Sequence, residues 1–271
     1  MNQIETIEVI DQMNRKVKVP ILPKRIVSLV PSQTELLYDL GLDEEVVGQT
    51  LFCIHPENMH QTKPRIGGTK KINFDNIDAL KPDLIIGNKE ENDKEQVELL
   101  MQKYPVWMSD IVTFNDALDM INKVGELVGK KAEANLISST ISTSFDGFNL
   151  ESSPAEVPKR VLYLIWRKPF MAAGSGTFIN EMINRIGLNN ALANNDSRYP
   201  ELTNERIEAI NPDYIFLSSE PYPFTEKHII ELQSICPSSK IILVDGELFS
   251  WYGTRLLHSV AYFKKLLSGL A

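Results

Sequence analysis

The sequence predicts an α/β protein built as two lobes, each with a parallel β-sheet, joined by one long α-helix. Three observations carry this prediction. Short apolar runs alternate with amphipathic helical segments, the second half repeats the order of the first, and an uninterrupted helical pattern lies between the halves. Continuous apolar strands are typical of parallel sheets that helices cover on both faces. The predicted lobes are residues 1–112 and 150–271, with the connecting helix at residues 113–149.

Composition supports a soluble-type globular chain and excludes several classes of function. The 271 residues are 43% hydrophobic and 24% charged, which is enough apolar material for real cores. The net charge of -8 argues against a general nucleic-acid binder, which needs a basic face. Two cysteines cannot form a disulfide framework, and no apolar run is long enough for a membrane span.

The first repeated unit is a strand followed by a helix. After an expected N-terminal hairpin at residues 4–20, residues 25–29 read as a short buried strand and residues 34–42 as an apolar-faced helix. The same order returns in the second half, with a strand at residues 160–164 and a helix at residues 180–188. Each half is therefore predicted to be a small α/β lobe.

The second repeated unit runs from a helix cap through a short helix into a buried strand. Residues 73–86 and 203–216 share this pattern, with Asn73 and Thr203 as the predicted N-caps. A proline near the end of each helix forces the preceding residue out of helical geometry. The two halves are thus predicted to be built on one plan.

Apolar residues recur at three- and four-residue spacing over residues 115–148, which predicts one long helix that spans both lobes. The alternative is two shorter helices broken near Gly125 or Gly129, because glycine weakens a helix. Residues 151–158 contain two prolines and two serines and are predicted to be a linker.

Loops at the carboxyl ends of the predicted strands are the expected ligand-binding region, as in other open α/β sheets. They are rich in aromatic residues, which would hold a flat macrocycle or an aromatic chelate, although some of these rings could simply pack the rims of the lobes. The aromatic residues of these loops are Phe52, Trp166, Phe170, Tyr222, Phe224, Phe249, Trp251 and Tyr252.

Several strings in this order resemble the substrate-binding proteins of cobalamin, haem and iron–siderophore ABC importers. They are residues 11–20, 23–37, 80–86, 174–181, 199–202 and 245–255. The resemblance implies two Rossmann-like lobes joined by a long helix. The cobalamin branch is closest, because residues 47–56 are similar to a segment that places an aromatic ring, here Phe52, in the corrinoid cleft. Thr69-Lys70 and residues 88–92 depart from that branch, which tends to have tryptophans there.

The resemblance implies a solute-binding receptor that holds a corrinoid or an iron chelate in the cleft between its lobes. It implies no catalysis and no intrinsic cofactor, an ABC permease and ATPase as partners, and a monomer. Together with the predicted loops it gives a set of ligand-binding candidates from both lobes. These are Phe52, Lys70, Glu90, Glu91, Trp166, Arg167, Phe170, Arg198, Tyr199, Trp251, Tyr252 and Arg255.

Two carboxylates occupy the same position in the two repeats, two residues after the predicted caps. Asp75 and Glu205 are such a pair, and in the importer family acidic groups at these positions dock onto arginines of the permease. A structural role is also expected, since a carboxylate in the first turn stabilises a helix by its favourable interaction with the helix dipole.

Cys53 and His55, with His60 nearby, form a possible metal site to which Glu90 and Glu91 could add oxygen ligands. Zinc motifs usually supply paired ligands, however, and a lone cysteine among apolar neighbours is more often buried and inert.

The chain starts without a cationic segment and apolar run of the kind that forms a secretory signal. The family implies a periplasmic or cell-surface protein, whereas the sequence as it stands predicts a cytoplasmic one if it is the native full length. The alternatives are therefore a cytoplasmic corrinoid- or metal-handling protein and a direct divalent-metal binder. An enzyme is disfavoured, because the four histidines have no serine or cysteine elbow motif near them.

Overall fold

A computed structural model describes residues 5–151 and 158–270 of the chain. In chain order the strands are β1 (Thr6–Ile10), β2 (Lys16–Pro20), β3 (Ile26–Ser28), β4 (Val46–Gln49), β5 (Leu84–Asn88), β6 (Val106–Ser109), β7 (Arg160–Trp166), β8 (Phe170–Ala172), β9 (Asn189–Asn190), β10 (Glu201–Leu202), β11 (Tyr214–Ser218) and β12 (Lys240–Val244).

The helices alternate with these strands along the chain, as the sequence predicts. They are α1 (Pro31–Asp39), α2 (Glu57–Thr62), α3 (Phe74–Leu80), α4 (Lys94–Met101), α5 (Phe114–Leu127), α6 (Lys131–Glu151), α7 (Phe178–Arg185), α8 (Asn204–Ile210), α9 (Glu226–Ile235), α10 (Glu247–Ser250) and α11 (Leu256–Ser268).

The chain divides into two compact units. The first contains the residues up to Ile111 together with Asn115–Ser142 and Trp251–Leu257, and the second contains Val112–Phe114, Thr143–Ser250 and the residues from His258 onward. The segment Trp251–Leu257 thus belongs to the first unit, although its sequence position had placed it in the C-terminal lobe.

The first unit is built on a parallel sheet whose order in the described chain is β4-β3-β5-β6. The central strand β5 is buried along its whole length, as expected for a strand that is covered on both faces. The predicted N-terminal hairpin is present, since β1 pairs antiparallel with β2. This confirms the predicted α/β architecture of the N-terminal half.

The second unit has a mixed rather than a purely parallel sheet, with the order β10-β8-β7-β11-β12 and β9 beside β7 in the described residues. Strands β7, β9, β11 and β12 are parallel, but β8 runs antiparallel to both β7 and β10. The loop predicted after β7 turns back at once and adds this strand to the sheet. The predicted parallel sheet is therefore present in the second unit, with the antiparallel strand β8 added to it.

The single helix predicted over residues 115–148 is divided in two. Helix α5 ends at Leu127 and α6 begins at Lys131. Gly129 lies between them at a φ of +73°, and a Cβ at this position would lie only 2.1 Å from Cδ2 of Leu22. Glycine alone adopts this conformation without strain, so the alternative of two helices holds. Helix α6 itself contributes residues to both units.

The repeated cap, helix and strand pattern is confirmed in both units. The Asn73 side chain accepts a hydrogen bond from the Asn76 amide, and the Thr203 side chain accepts one from the amide of Arg206. Helices α3 and α8 both have seven residues and both end on a residue in left-handed geometry. The local sequence therefore fixes these two segments in the same way.

The predicted linker at residues 151–158 lies almost entirely outside the described residues. Across residues 5–151 and 158–270, no helix combines the length and the apolar character that crossing a bilayer requires.

Candidate functional site

A pocket of about 950 Å³ opens in the first unit where strand β4 ends and helix α3 begins. The region matches the expectation that ligands bind at the carboxyl ends of parallel strands. Its lining comes from the turn after β4, from a Gly-Gly turn and from the start of α3. The lining residues are Leu51, Phe52, Gly67, Gly68, Thr69, Lys70, Lys71, Ile72, Asn73, Phe74 and Asp75.

Phe52 is the aromatic residue that the sequence predicted for this region, and its side chain is 58% exposed. A Cβ added to Gly68 would lie 3.2 Å from Cε2 of the ring, so the absence of a side chain at Gly68 lets the ring lie against the turn. The Leu51 amide donates to the Gly67 carbonyl over 2.8 Å and joins the two segments. The pocket therefore presents an aromatic surface to solvent on a well-supported backbone.

The turn at Gly67 has room for glycine only. Its φ is +96°, and a Cβ at this position would lie 2.5 Å from the carbonyl oxygen of Lys71. The Gly68 amide donates to that same carbonyl over 2.8 Å, and Gly67 bridges to Ile72. This tight turn fixes the direction in which Lys70 and Lys71 leave the backbone.

Lys70 is held in place by the loop that follows β5. Its Nζ donates to the carbonyl oxygen of Glu90 over 2.5 Å and to that of Asn92 over 3.5 Å. Gln96 at the start of α4 donates to the Lys70 carbonyl over 2.8 Å and accepts from the Ile72 amide over 2.7 Å. The turn at Thr69-Lys70 and the loop at residues 88–92, which both depart from the cobalamin branch in sequence, are therefore joined by hydrogen bonds.

The carboxyl edge of this sheet is polar and buried. In the described chain, β3, β4, β5 and β6 end on Ser28, Gln49, Asn88 and Ser109, all of which are buried. Asn88 Nδ2 donates to Ser109 Oγ over 2.9 Å, and Ser109 Oγ donates to the Gly87 carbonyl over 3.2 Å. Because buried polar groups need such partners, this network forms a rigid base under the loops.

Asn92 connects the network to the pocket. Its Oδ1 accepts from the Asn88 amide over 2.8 Å, and its Nδ2 donates to the carbonyls of Leu29 and Thr69 over 3.2 and 3.1 Å. The side chain is only 4% exposed. Asn92 therefore ties the turn that carries Lys70 to the end of the central strands.

Glu90 and Glu91 lie beside this site rather than in its lining. Their backbone amides both donate to Asn88 Oδ1, over 2.8 and 3.0 Å. Their negative charges also raise the pKa of the Tyr252 hydroxyl, although burial of Tyr252 is the larger cause. The backbone of this loop is thus fixed, and the ligand-binding role of the two carboxylates stays a prediction.

Arg255 forms an ion pair inside the first unit. Its Nε and Nη2 donate to the two carboxylate oxygens of Glu35 over 3.0 and 2.6 Å, and the two side chains are only 15% and 14% exposed. The guanidinium carbon lies 5.1 Å from the centre of the Trp251 ring. Burial raises the pKa of Glu35, while the charge of Arg255 opposes that shift.

Trp251 and Tyr252, which were predicted to bind ligand, are both buried. The His55 ring packs edge-on against Trp251 with 5.6 Å between ring centres. The segment that carries Arg255, Trp251 and Tyr252 is therefore packed against helix α1, and a ligand-binding role of these three residues stays a prediction.

Cys53 and His55, the predicted metal pair, each contact other residues in the described chain. The Cys53 thiol is fully buried, with Sγ 3.1 Å from both Thr34 Oγ1 and Thr50 Oγ1, and burial raises its pKa. His55 instead packs on Trp251. No cluster of three or more potential metal ligands occurs among residues 5–151 and 158–270. The structure therefore favours the alternative in which Cys53 is a buried and unreactive residue.

In the second unit, Trp166 is the predicted ligand-binding residue with the most accessible ring, at 40% exposure. It packs edge-on against Tyr222, with 5.6 Å between ring centres. The Tyr222 hydroxyl lies 3.2 Å from His228 Nε2, and the Thr225 amide donates to His228 Nδ1 over 2.9 Å. Burial lowers the pKa of His228, so a neutral ring supports the exposed tryptophan.

Arg167 is engaged by a carboxylate within the same unit. Its Nε and Nη2 donate to Glu231 over 2.8 and 2.7 Å. This hydrogen-bonded pairing lowers the pKa of Glu231. Arg167 therefore braces the loop next to Trp166, and any contact with ligand would have to compete with Glu231.

Phe170 belongs to the hydrophobic core of the second unit, together with Leu202 and Phe224. The antiparallel strand β8 turns this side chain inward, and a ligand-binding role of the Phe170 ring stays a prediction. Arg198 donates through Nε to the Gly176 carbonyl over 2.7 Å and lies 5.8 Å from the Tyr199 ring. Those two residues form a local pair at the entry to α7.

Asp75 and Glu205 occupy the second position of helices α3 and α8, and both are exposed. A hydrogen bond from the Thr203 side chain is the main cause of the lowered pKa of Glu205. The two units therefore present equivalent carboxylates at equivalent points of the repeated pattern, as the sequence predicted.

Asn92 and Gln96 were not among the predicted site residues, although they hold the pocket together. The available sequence signal is Asn88, because an asparagine at the end of a buried strand commonly accepts hydrogen bonds from amides two and three residues further on, and so orders the loop that contains Asn92. Nothing in the spacing of Gln96 indicated that its side chain would reach Lys70.

A family model described as periplasmic binding protein matches residues 26–233, which is most of the chain. The chain belongs to the periplasmic binding protein family. An ABC transporter substrate-binding lipoprotein of Bacillus subtilis is 27% identical over 212 residues, which cover 76% of this chain and 67% of that protein. A vitamin B12-binding protein of Pectobacterium carotovorum is 21% identical over 253 residues, covering 92% and 90% of the two chains.

The fold of this periplasmic binding protein is found in solved structures as well. A periplasmic heme-binding protein from Roseiflexus in its apo form superimposes with a TM-score of 0.79 at 20% sequence identity, covering 91% of this chain and 97% of that one. By their names, these similar proteins are binding proteins: a substrate-binding lipoprotein of an ABC transporter, a vitamin B12-binding protein and a periplasmic heme-binding protein.

Proposed function

We propose that this periplasmic binding protein is the solute receptor of an ABC importer and that it binds a metal chelate of the corrinoid, haem or iron–siderophore kind. The observation that carries the proposal is the exposed ring of Phe52 on the wall of the pocket in the first unit. An exposed aromatic ring in a concave, largely pre-formed site is a good contact for a flat ligand. The names of the similar proteins support the same ligand class.

Titration with chelates tests the proposal. We expect that one of cyanocobalamin, hemin or a ferric siderophore binds the protein. Binding should change the visible spectrum of the chelate and raise the melting temperature of the protein. Replacing Phe52 with alanine should weaken the binding of that ligand about tenfold, which is the size expected when one aromatic contact and its buried area are lost.

Leu136→Ala is the matched control, because Leu136 is a highly exposed apolar residue of α6 that does not line the pocket. This variant should bind like the wild type. If none of the three kinds of chelate shifts the spectrum or the melting temperature of the wild-type protein, the proposed receptor function is wrong.

We further propose that Asp75 and Glu205 dock the receptor onto basic residues of a membrane permease, which places the protein outside the cytoplasmic membrane. The exposed and equivalent positions of the two carboxylates support this proposal. The similar proteins carry the words lipoprotein and periplasmic in their names, which supports the same location. Fractionation of cells that produce the complete protein checks the location.

Charge reversal tests the docking role. Asp75→Arg combined with Glu205→Arg should weaken the receptor's stimulation of the reconstituted permease and ATPase by about tenfold, because two charge pairs at the interface become repulsive. Because Asp75 also lines the pocket, ligand affinity is compared in the single variant Glu205→Arg, where it should stay unchanged. The control pair is Glu57→Arg with Glu226→Arg, which reverses one first-turn carboxylate in each unit. Equal stimulation by the two double variants would contradict the docking role.

A further inference from the structure

The pocket of the first unit carries an excess of positive charge. Among its lining residues, Lys70 and Lys71 are cationic and Asp75 is the single acidic residue. This local balance is opposite to that of the whole chain, whose net charge is -8. A positive pocket in an acidic protein focuses the local potential on negatively charged ligands.

Neither lysine is neutralised by an ion pair in the described part of the chain. The polar contacts of the Lys70 ammonium are the carbonyl oxygens of Glu90 and Asn92, which are uncharged acceptors. Lys70 also contributes to the low pKa of Asp93, after the larger effect of the hydrogen bonds from Gln96. Lys71 is exposed. Both positive charges therefore remain available to a ligand.

The position of these charges is fixed before any ligand arrives. Asn92 and Gln96 hold the backbone of the turn on both sides of Lys70, and Gly67 sets its geometry. A side chain that is already ordered loses less conformational entropy on binding than a free one. Lys70 is thus a pre-organised cationic group in the same pocket lining as the Phe52 ring.

Resting on the proposed receptor function, we propose that this pocket selects metal chelates with net negative charge, held by the Phe52 ring and by the Lys70 and Lys71 ammonium groups. The class includes chelates whose charge comes from carboxylates and those whose charge comes from catecholates. A chelate surrounded by neutral amides gains nothing from either ammonium group. A cationic chelate would be repelled by both.

A charge series on the full chain tests the inference. The probes are hemin and a ferric tris-catecholate as anionic chelates, cyanocobalamin as a neutral one and ferrioxamine B as a cationic one, each titrated at low and at high sodium chloride. We expect at least one anionic chelate to bind more tightly than the neutral and cationic ones. Its affinity should fall as salt screens the lysine charges.

Lys70→Gln with Lys71→Gln should weaken the binding of the anionic chelate about tenfold at low salt, since exposed charge pairs each contribute up to about fivefold. Lys70→Arg with Lys71→Arg keeps both charges and should restore the affinity. The control is Lys89→Gln with Lys94→Gln, which removes the same charge from two surface lysines outside the lining, paired with Asp110 and Glu98. That control should bind like the wild type.

Tighter binding of cyanocobalamin or ferrioxamine B than of both anionic probes would overturn the inference and leave the receptor function standing. An affinity of the double glutamine variant equal to that of the control variant would overturn it as well. Failure of all four probes to bind the wild-type protein would instead overturn the receptor function, and this inference with it.

Discussion

Arg255→Met should lower the free energy of unfolding by about 3 kcal/mol at pH 8, because it leaves the carboxylate of Glu35 buried without its partner. Both guanidinium donors that face Glu35 are lost, and the two side chains are mostly shielded from water. Urea denaturation of the variant and the wild type at one pH measures the effect directly.

The loss should be smaller at pH 5 than at pH 8. Burial already raises the pKa of Glu35 in the folded protein, and removing Arg255 takes away the charge that opposes this shift. A carboxyl group whose pKa is raised on folding contributes stability that is present below its unfolded pKa and lost as the pH rises through the folded value. At low pH the variant can therefore keep Glu35 protonated, whereas at high pH it must bury the charge.

The double variant Glu35→Leu with Arg255→Met supplies the control. Replacing a buried ion pair by apolar residues is often close to neutral, so this variant should recover most of the stability that the single change removes. A double variant no more stable than Arg255→Met, or a loss that is the same at both pH values, would contradict the buried-pair interpretation.

Asn92→Ala should lower the free energy of unfolding by about 3 kcal/mol, since it leaves the buried Asn88 amide without its acceptor and removes the donor to two carbonyls. It should also weaken chelate binding, because the turn that carries Lys70 loses its link to the sheet. Urea denaturation measures the first effect, and titration with the chelate that the wild type binds measures the second.

Asn58→Ala is the matched control, because Asn58 is an exposed residue of α2 in the same unit. Surface changes of this kind usually alter stability by less than about 0.5 kcal/mol. If Asn92→Ala unfolds like Asn58→Ala, the buried network is not a source of stability. If stability falls while affinity is unchanged at a temperature where the variant is folded, Asn92 does not position the pocket.

Local signals gave reliable predictions of the elements of this fold. Asn73 and Thr203 cap α3 and α8 as their positions indicated, and the buried strands that follow belong to the sheets of the two units. Each of these features depends on hydrogen bonds or apolar contacts between residues close in sequence. Phe52 was likewise placed in the pocket by its position directly after a strand.

Predictions that depended on distant partners were less successful. Gly129 breaks the predicted long helix, and the position of Leu22 opposite it shows how little room a side chain would have there. Phe170 was expected to meet a ligand but joins the core, because its loop folds back as strand β8. In both cases the deciding contact comes from a different part of the chain.

The sequence by itself determined the α/β class, the repeated plan of the two halves and the membership of the periplasmic binding protein family, since all three are encoded in spacing and in strings of neighbouring residues. Only the tertiary structure decided which polar side chains form the pocket and which are occupied elsewhere. Arg255 pairs with Glu35 and Lys70 is held by the loop at Glu90, and such pairings follow from the chain path rather than from local periodicity. The physical reason is that a charge acts on whatever the fold brings within a few ångströms of it, however far away that residue lies in the sequence.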